Sequence, residues 1–261
     1  MIKAVIFDLD GTLYRGKTPV PGAARTLEAL RSRGVKALFL TNAATRSRAD
    51  VAAKLSGMGL RARKEDVYCG AYLLARYIAQ NHKLESTYVV GEKGIFDELK
   101  EAGLVAAGDE EAAAGKAGVV AVGLDRKFTY DKLANAYLAL KKGAVFLASN
   151  TDETFPVEGG ELPGSGGMVA AIEKVSGKRP YVTGKPNPYV MELIEKEHRL
   201  RKEEIMMVGD RLDTDITFAK NCGIKSALVL SGASKKSDIK DLQPDYVFES
   251  VRELINAVLP D

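Results

Sequence analysis

The 261-residue sequence has no tryptophan, two histidines and two cysteines, and the last two scarcities each close off a class of chemistry. Cys69 and Cys222 lie far apart with no CxxC partner, which excludes a disulfide framework and a zinc knuckle and fits a reducing cytoplasm. His82 and His198 sit in polar, helix-like surroundings with no partner at metal or triad spacing, so both read as solvent-exposed. No stretch approaches the roughly 20 apolar residues of a membrane span. The short apolar run after Met1 meets acids within a few residues, unlike a signal or transit peptide. A net charge of +3, with basic and acidic residues interspersed, points away from nucleic acid and membrane surfaces as partners. Gly159, Gly160, Gly164, Gly166 and Gly167 match neither GxxxxGK[ST] nor GxGxxG. They read as turns leading into a helix from Met168 to Val175.

What is present is an alternation. Short apolar runs bounded by Gly, Asp or Asn alternate with segments of helical period, which predicts an α/β fold with a doubly wound parallel sheet. Strands are expected at Ile2 to Phe7, Val35 to Leu40, Tyr88 to Val90, Val119 to Val122, Ala144 to Ala148, Ile205 to Val208, Ser226 to Leu230 and Tyr246 to Phe248. Helices are expected at Ala23 to Arg33, stopped by Gly34, at Ser47 to Met58, and from a capping box at Ser250 and Glu253. Tyr130, Leu133, Tyr137 and Leu140 form a helical stripe that suits either the core of a small domain or a homodimer contact through it.

Acidic strand ends cluster near residues 8 to 10 and 210 to 215, and the middle third has no comparable cluster. A discontinuous core of residues 1–83 and 182–261, interrupted by an inserted smaller α/β domain at 84–181, follows from that distribution.

The candidate chemistry lies at the strand ends. The first strand delivers Asp8, Leu9, Asp10 and Gly11 at its carboxyl end, the edge where open α/β sheets bind ligands. Side chains repeat every two residues along a strand, so Asp8 and Asp10 share a side while Leu9 turns inward. Val35 to Leu40 leads into Thr41 and Asn42, and Ile205 to Val208 leads into Asp210, Asp213 and Asp215. If these ends adjoin, up to five carboxylates crowd together and require a cation. An all-oxygen ligand set selects a hard divalent ion, with Mg²⁺ the usual choice. A cation among carboxylates in turn suits a substrate with negative oxygens of its own, a phosphate. Lys185, just before a helix starting near Pro188, offers that phosphate a point charge, and Thr41 and Asn42 offer neutral donors.

Taken in order, the blocks DLDGTL, TN, GKPNP and GDRLDTD resemble the four motifs of haloacid dehalogenase phosphatases. The blocks GDRLDTD and GKPNP, with FLASNTD (146–152) and PGSGG (163–167), are similar to the NagD and 4-nitrophenylphosphatase branch. The resemblance implies a Rossmann-like core with a C2-type cap and a phosphatase acting on a small phosphorylated metabolite. It implies Asp8 as the nucleophile that forms an aspartyl phosphate and Asp10 as general acid and then base. Asp8, Asp210 and the backbone carbonyl of Asp10 would hold Mg²⁺, Thr41, Asn42 and Lys185 would hold the phosphoryl group, and Asp213 and Asp215 would support them. Asn150 and Asp152, in the loop after the strand ending at Ala148, are expected to choose the leaving group. The branch often follows Thr-Asn with Asn and then Ser or Thr; this chain has Ala43 and Ala44 instead. A phosphotransferase or mutase would start with the same residues. A dehalogenase has no need of an acid at the Asp10 position, and a catalytically silent metabolite-binding protein has no need of the Asp8 and Asp10 pair.

Overall fold

Ala4, Val5, Ile6 and Phe7 are each 0% exposed and form β1 (Ala4–Phe7) of the computed structural model, which describes residues 1–157 and 159–258. An unbroken apolar run suits a strand covered on both faces. The other strands are β2 (Tyr14–Arg15), β3 (Thr18–Pro19), β4 (Lys36–Thr41), β5 (Val67–Cys69), β6 (Thr87–Val90), β7 (Val119–Val122), β8 (Val145–Ala148), β9 (Thr154–Val157), β10 (Gly160–Pro163), β11 (Tyr181–Val182), β12 (Ile205–Gly209), β13 (Lys225–Val229) and β14 (Tyr246–Phe248). The helices are α1 (Ala23–Ser32), α2 (Arg48–Gly57), α3 (Gly70–Asn81), α4 (Lys93–Glu101), α5 (Asp109–Ala113), α6 (Tyr130–Lys141), α7 (Ser165–Ser176), α8 (Tyr189–His198), α9 (Thr217–Cys222) and α10 (Leu254–Val258).

The larger sheet has six strands in the order β14-β13-β12-β1-β4-β5. β1 pairs in parallel with both β4 and β12, and β12 and β13 each pair in parallel with the next strand outward. From β1 the chain builds outward through β4 and β5, then returns to β12 and builds the opposite way. The order reverses between β1 and β12, and a doubly wound sheet leaves its ligand crevice at the carboxyl ends of such a pair.

The smaller sheet has four strands in the order β11-β8-β7-β6, and its pairs are parallel. Val90, Val120, Val122, Phe146 and Ile172 belong to its buried core, with Leu140 of α6. Leu133 packs against that core, whereas Tyr130 is 80% exposed, so the expected stripe on α6 is buried along only part of its length.

By contact density the chain forms two compact units. One comprises Met1–Thr41, Val51–Tyr68 and, among the described residues, 185–258; the other comprises Asn42–Asp50 and Cys69–Gly184. Residues 42–50, 69–83 and 182–184, which the sequence assigns to the discontinuous core, thus pack with the second unit. Residues 259–261, also assigned to that core, lie outside the described residues.

Three further differences have physical causes. β5 runs straight into the apolar start of α3, so its three residues show no boundary of their own. Helix α7 starts at Ser165, so Gly166 and Gly167 lie in its first turn and do not form a turn ahead of it. Both histidines are partly buried: the ring of His198 lies 3.0 Å from the Tyr68 hydroxyl, and that of His82 lies 3.3 Å from Glu85.

Candidate active site

Asp8 directly follows β1, and its backbone N–H donates to Val208 of β12 at 2.9 Å. Gly11 then turns the chain with φ of +80°, a conformation that favours glycine. Asp210 directly follows β12. Asp215 is fully buried in the helical turn Leu212–Ile216 that leads into α9. Each of Asp8, Asp210 and Asp215 offers an oxygen within 4.8 Å of the other two, the grouping that fits a metal ion among the described residues.

Lys185 reaches this group from the segment before α8. The residue is 3% exposed, and its ammonium donates to Asp8 Oδ1 at 2.6 Å, to Asp215 Oδ1 at 2.5 Å and to the Leu40 carbonyl at 3.4 Å. One side chain therefore joins the carboxyl ends of β1 and β4 to the turn beyond β12. Burial disfavours the ammonium, but Asp215 and Asp8 outweigh it and hold the Lys185 pKa above its ordinary value.

The carboxylates respond in the opposite sense. Burial pushes Asp8 well above the usual range; Lys185 pulls it down, and the charges of Asp215 and Asp210 push it further up. Burial, then the charge of Asp215, pushes Asp210 up to about 6, against the Ala233 N–H and Lys185. Three carboxylates against one ammonium leave an excess of negative charge in a desolvated place, which a divalent cation would neutralise.

Asp210 is closely cradled. Thr12 Oγ1 donates to its Oδ1 at 3.4 Å and the Ala233 N–H to its Oδ2 at 2.7 Å. A Cβ on either Gly11 or Gly232 would collide with its carboxylate, and a Cβ on Gly209 would collide with that of Asp215. This loop after β13 was absent from the expected site. Ser231 Oγ also ties it to the Gly11 carbonyl at 2.7 Å. Its signal in the sequence is position: Ser231 and Gly232 follow an apolar strand at the same sheet edge.

Asp10 is exposed at the surface, yet the protein around its carboxyl desolvates it enough to raise its pKa. Attraction by Lys54 and hydrogen bonds with Tyr14 and the backbone of Gly16 oppose that rise. The Lys54 ammonium also lies 3.8 Å from the centre of the Tyr14 ring. Thr41 ends β4.

The remaining expected residues have partners of their own. Asp213 is outside the carboxylate group and exposed: Arg211 Nε and Nη2 donate to its two oxygens at 3.1 and 2.7 Å. The crowd of five carboxylates expected from the strand ends is therefore a group of three, with Asp10 and Asp213 outside it. Asn42 Nδ2 donates to the Asp152 carboxylate at 3.2 and 3.3 Å, within the second unit. Asn150 is 5% exposed, and both its amide nitrogen and its amide oxygen are bonded inside that unit. That saturation leaves it poorly suited to reading a leaving group. Ala44 is 2% exposed and a Cβ on Gly123 would come within 3.2 Å of its methyl, so this position holds a small apolar side chain in packing contact.

A sequence model described as haloacid dehalogenase-like hydrolase matches residues 5–105, and a HAD-hydrolase-like model matches residues 182–254. An acid sugar phosphatase of Staphylococcus haemolyticus is 36% identical over 256 residues, covering 97% of this chain and 95% of its own. The crystal structure of a 4-nitrophenylphosphatase from Thermotoga maritima is 32% identical with a TM-score of 0.92, over 98% of this chain and 97% of its own. A glycerol phosphate phosphatase from Mycobacterium tuberculosis, solved in complex with magnesium, is 36% identical with a TM-score of 0.88, over 97% of this chain and 76% of its own.

Proposed function

Because the chain belongs to the haloacid dehalogenase-like hydrolases, in the NagD and 4-nitrophenylphosphatase branch, and is a phosphatase of that family, we propose that it hydrolyses small phosphomonoesters through a phosphoryl group carried on Asp8. The observation that carries this reading is the Lys185 ammonium shared by Asp8 and Asp215 at the point where the sheet order reverses.

An Asp8 oxygen attacks phosphorus and the ester P–O bond breaks. The departing alcohol oxygen takes the proton of Asp10, whose raised pKa favours holding one. Water then attacks the aspartyl phosphate and gives a proton to Asp10. The bond from phosphorus to Asp8 breaks, and inorganic phosphate leaves. Lys185 orients Asp8 and places positive charge beside the transferring group, and Thr41 and Asn42 serve as neutral donors to it. Positioning and charge neutralisation supply most of the acceleration in phosphoryl transfer.

Asp8, Asp210 and the backbone carbonyl of Asp10 would hold Mg²⁺, and Asp215 would fix Lys185 and the geometry around it. The all-oxygen donors and the glycine-walled cradle of Asp210 suit a hard divalent ion. Such an ion, when bound, supplies charge that offsets the carboxylates and the phosphoryl oxygens. The second unit would act as the cap that discriminates among leaving groups, in a cytoplasmic enzyme of small metabolites.

The covalent step is tested with an isotopically chiral phosphomonoester. Two in-line displacements give net retention at phosphorus and label trapped on Asp8 in a single turnover. Inversion would remove Asp8 from the nucleophile's role.

A further inference from the structure

The loop Asn42–Arg46 is held by its carbonyls. Asn150 Nδ2 donates to the Asn42 carbonyl at 2.8 Å, the Gly70 N–H to that of Ala43 at 3.0 Å, the Gly94 N–H to that of Thr45 at 3.3 Å, and Cys69 Sγ to that of Arg46 at 3.5 Å. A trans peptide is planar, so a pinned carbonyl also fixes the direction of the next N–H. These four carbonyls are therefore held by groups of the second unit.

The Asn42 side chain is held as firmly. Its amide nitrogen faces both oxygens of Asp152, which settles the orientation of the amide, because the flipped form would set its oxygen against a carboxylate. Glycines wall the residue in: a Cβ on Gly184 would stand 2.6 Å from Asn42 Oδ1, and one on Gly70 would collide with the Asn42 carbonyl. Asp152 is aligned in turn by its own N–H, which donates to Asn150 Oδ1 at 3.0 Å. Ser165 Oγ, 2% exposed at the start of α7, donates to the same oxygen. Asn150 thus grips the Asn42 backbone with its nitrogen and the Asp152 backbone with its oxygen, while Asp152 grips the Asn42 side chain.

We propose that Asp152 and Asn150 are positioning residues for Asn42, fixing its side chain and its backbone, and do not select the leaving group. This rests on the reading of Asn42 as a phosphate-binding residue. A residue acting through Asn42 affects the part common to every substrate, so its loss lowers activity evenly across esters. A residue touching the leaving group alters their ranking.

The test uses the magnesium-loaded full chain with inorganic phosphate as a competitive inhibitor, and compares 4-nitrophenyl phosphate with glycerol 3-phosphate. Asp152→Ala is expected to raise the phosphate inhibition constant about tenfold, the scale of one hydrogen bond to a charged group, and to lower kcat/KM on both esters by a similar factor. Asp152→Asn, which keeps an accepting oxygen and the side chain's shape, is expected to fall between wild type and Ala. In an Asn42→Ala background, Asp152→Ala is expected to add less than about twofold, because coupled residues are not additive. A changed ester ranking with phosphate inhibition intact would overturn the proposal, as would effects that simply multiply in the double variant. If Asn42→Ala weakens phosphate inhibition and Asp152→Ala does not, the positioning role fails alone. If Asn42→Ala itself leaves phosphate inhibition unchanged, the underlying assignment of Asn42 fails, and the positioning role fails with it.

Discussion

Asp215 accepts the Lys185 ammonium at 2.5 Å in a place where neither side chain is more than 2% exposed. Asp213, two residues earlier, pairs with Arg211 while 65% of its side chain is exposed. Removing one partner of a buried ion pair costs about 3 to 5 kcal/mol, and exposed pairs are worth under about 1 kcal/mol. Asp215→Ala is therefore expected to lower unfolding free energy by about 3 kcal/mol and turnover by about a hundredfold. Asp213→Ala is expected to change stability by under about 1 kcal/mol. Urea unfolding and 4-nitrophenyl phosphate turnover measure both, and equal effects would contradict the separation.

That contrast marks a limit of what could be read from the chain. Apolar runs ending in Asp8 and Asp210 exposed the sheet edge because strand period and burial are local signals. The block GDRLDTD does not reveal which of its later acids turns inward, since that depends on the helical turn Leu212–Ile216. Ser231 to Ala233 were missed because backbone donors and absent side chains carry no chemical signature. The bonding of Asn150 and Asp152 to Asn42 spans about 110 residues and leaves no local pattern. β5 eluded the strand period because it merges with the apolar start of α3, whereas β7 and β14, bounded by polar or glycine residues, fall at the expected residues.

The carboxylate trio predicts a strict metal requirement. Activity is expected to vanish in excess chelator and return with Mg²⁺, and Ca²⁺ is expected to inhibit, because a larger ion with more ligands displaces Asp8 from its line of attack. Full turnover with chelator present would contradict this.

If Asp10 protonates the leaving group, its importance scales with that group's basicity. Asp10→Asn is expected to lose at least about tenfold more activity on an alkyl phosphate than on 4-nitrophenyl phosphate, because a good leaving group needs little protonation. Steady-state rates on the two esters decide it, and equal losses would remove Asp10 from the acid's role.

Glu204, 6% exposed, receives Lys3 Nζ at 2.6 Å and the Arg201 N–H at 2.9 Å. The Lys3 hydrogen bond, then those from Arg201, hold its pKa down to about 2. The folded pKa lies below the unfolded one, so this stability is complete above about pH 4.5 and drains away as pH falls toward 2. Glu204→Gln is expected to flatten the fall in melting temperature across that acid window. An unchanged slope would show that the pair has no linkage to folding.

The reversal of sheet order between β1 and β12 also matters while the chain is being made. Asp8 is made 177 residues before its Lys185 partner, and Thr12 is made 198 residues before Asp210. Until β12 emerges, β1 lacks one of its two neighbouring strands and presents an apolar edge. The carboxylate group therefore assembles only after β12 and the turn beyond it have been made, and until then that edge stays open to mispairing.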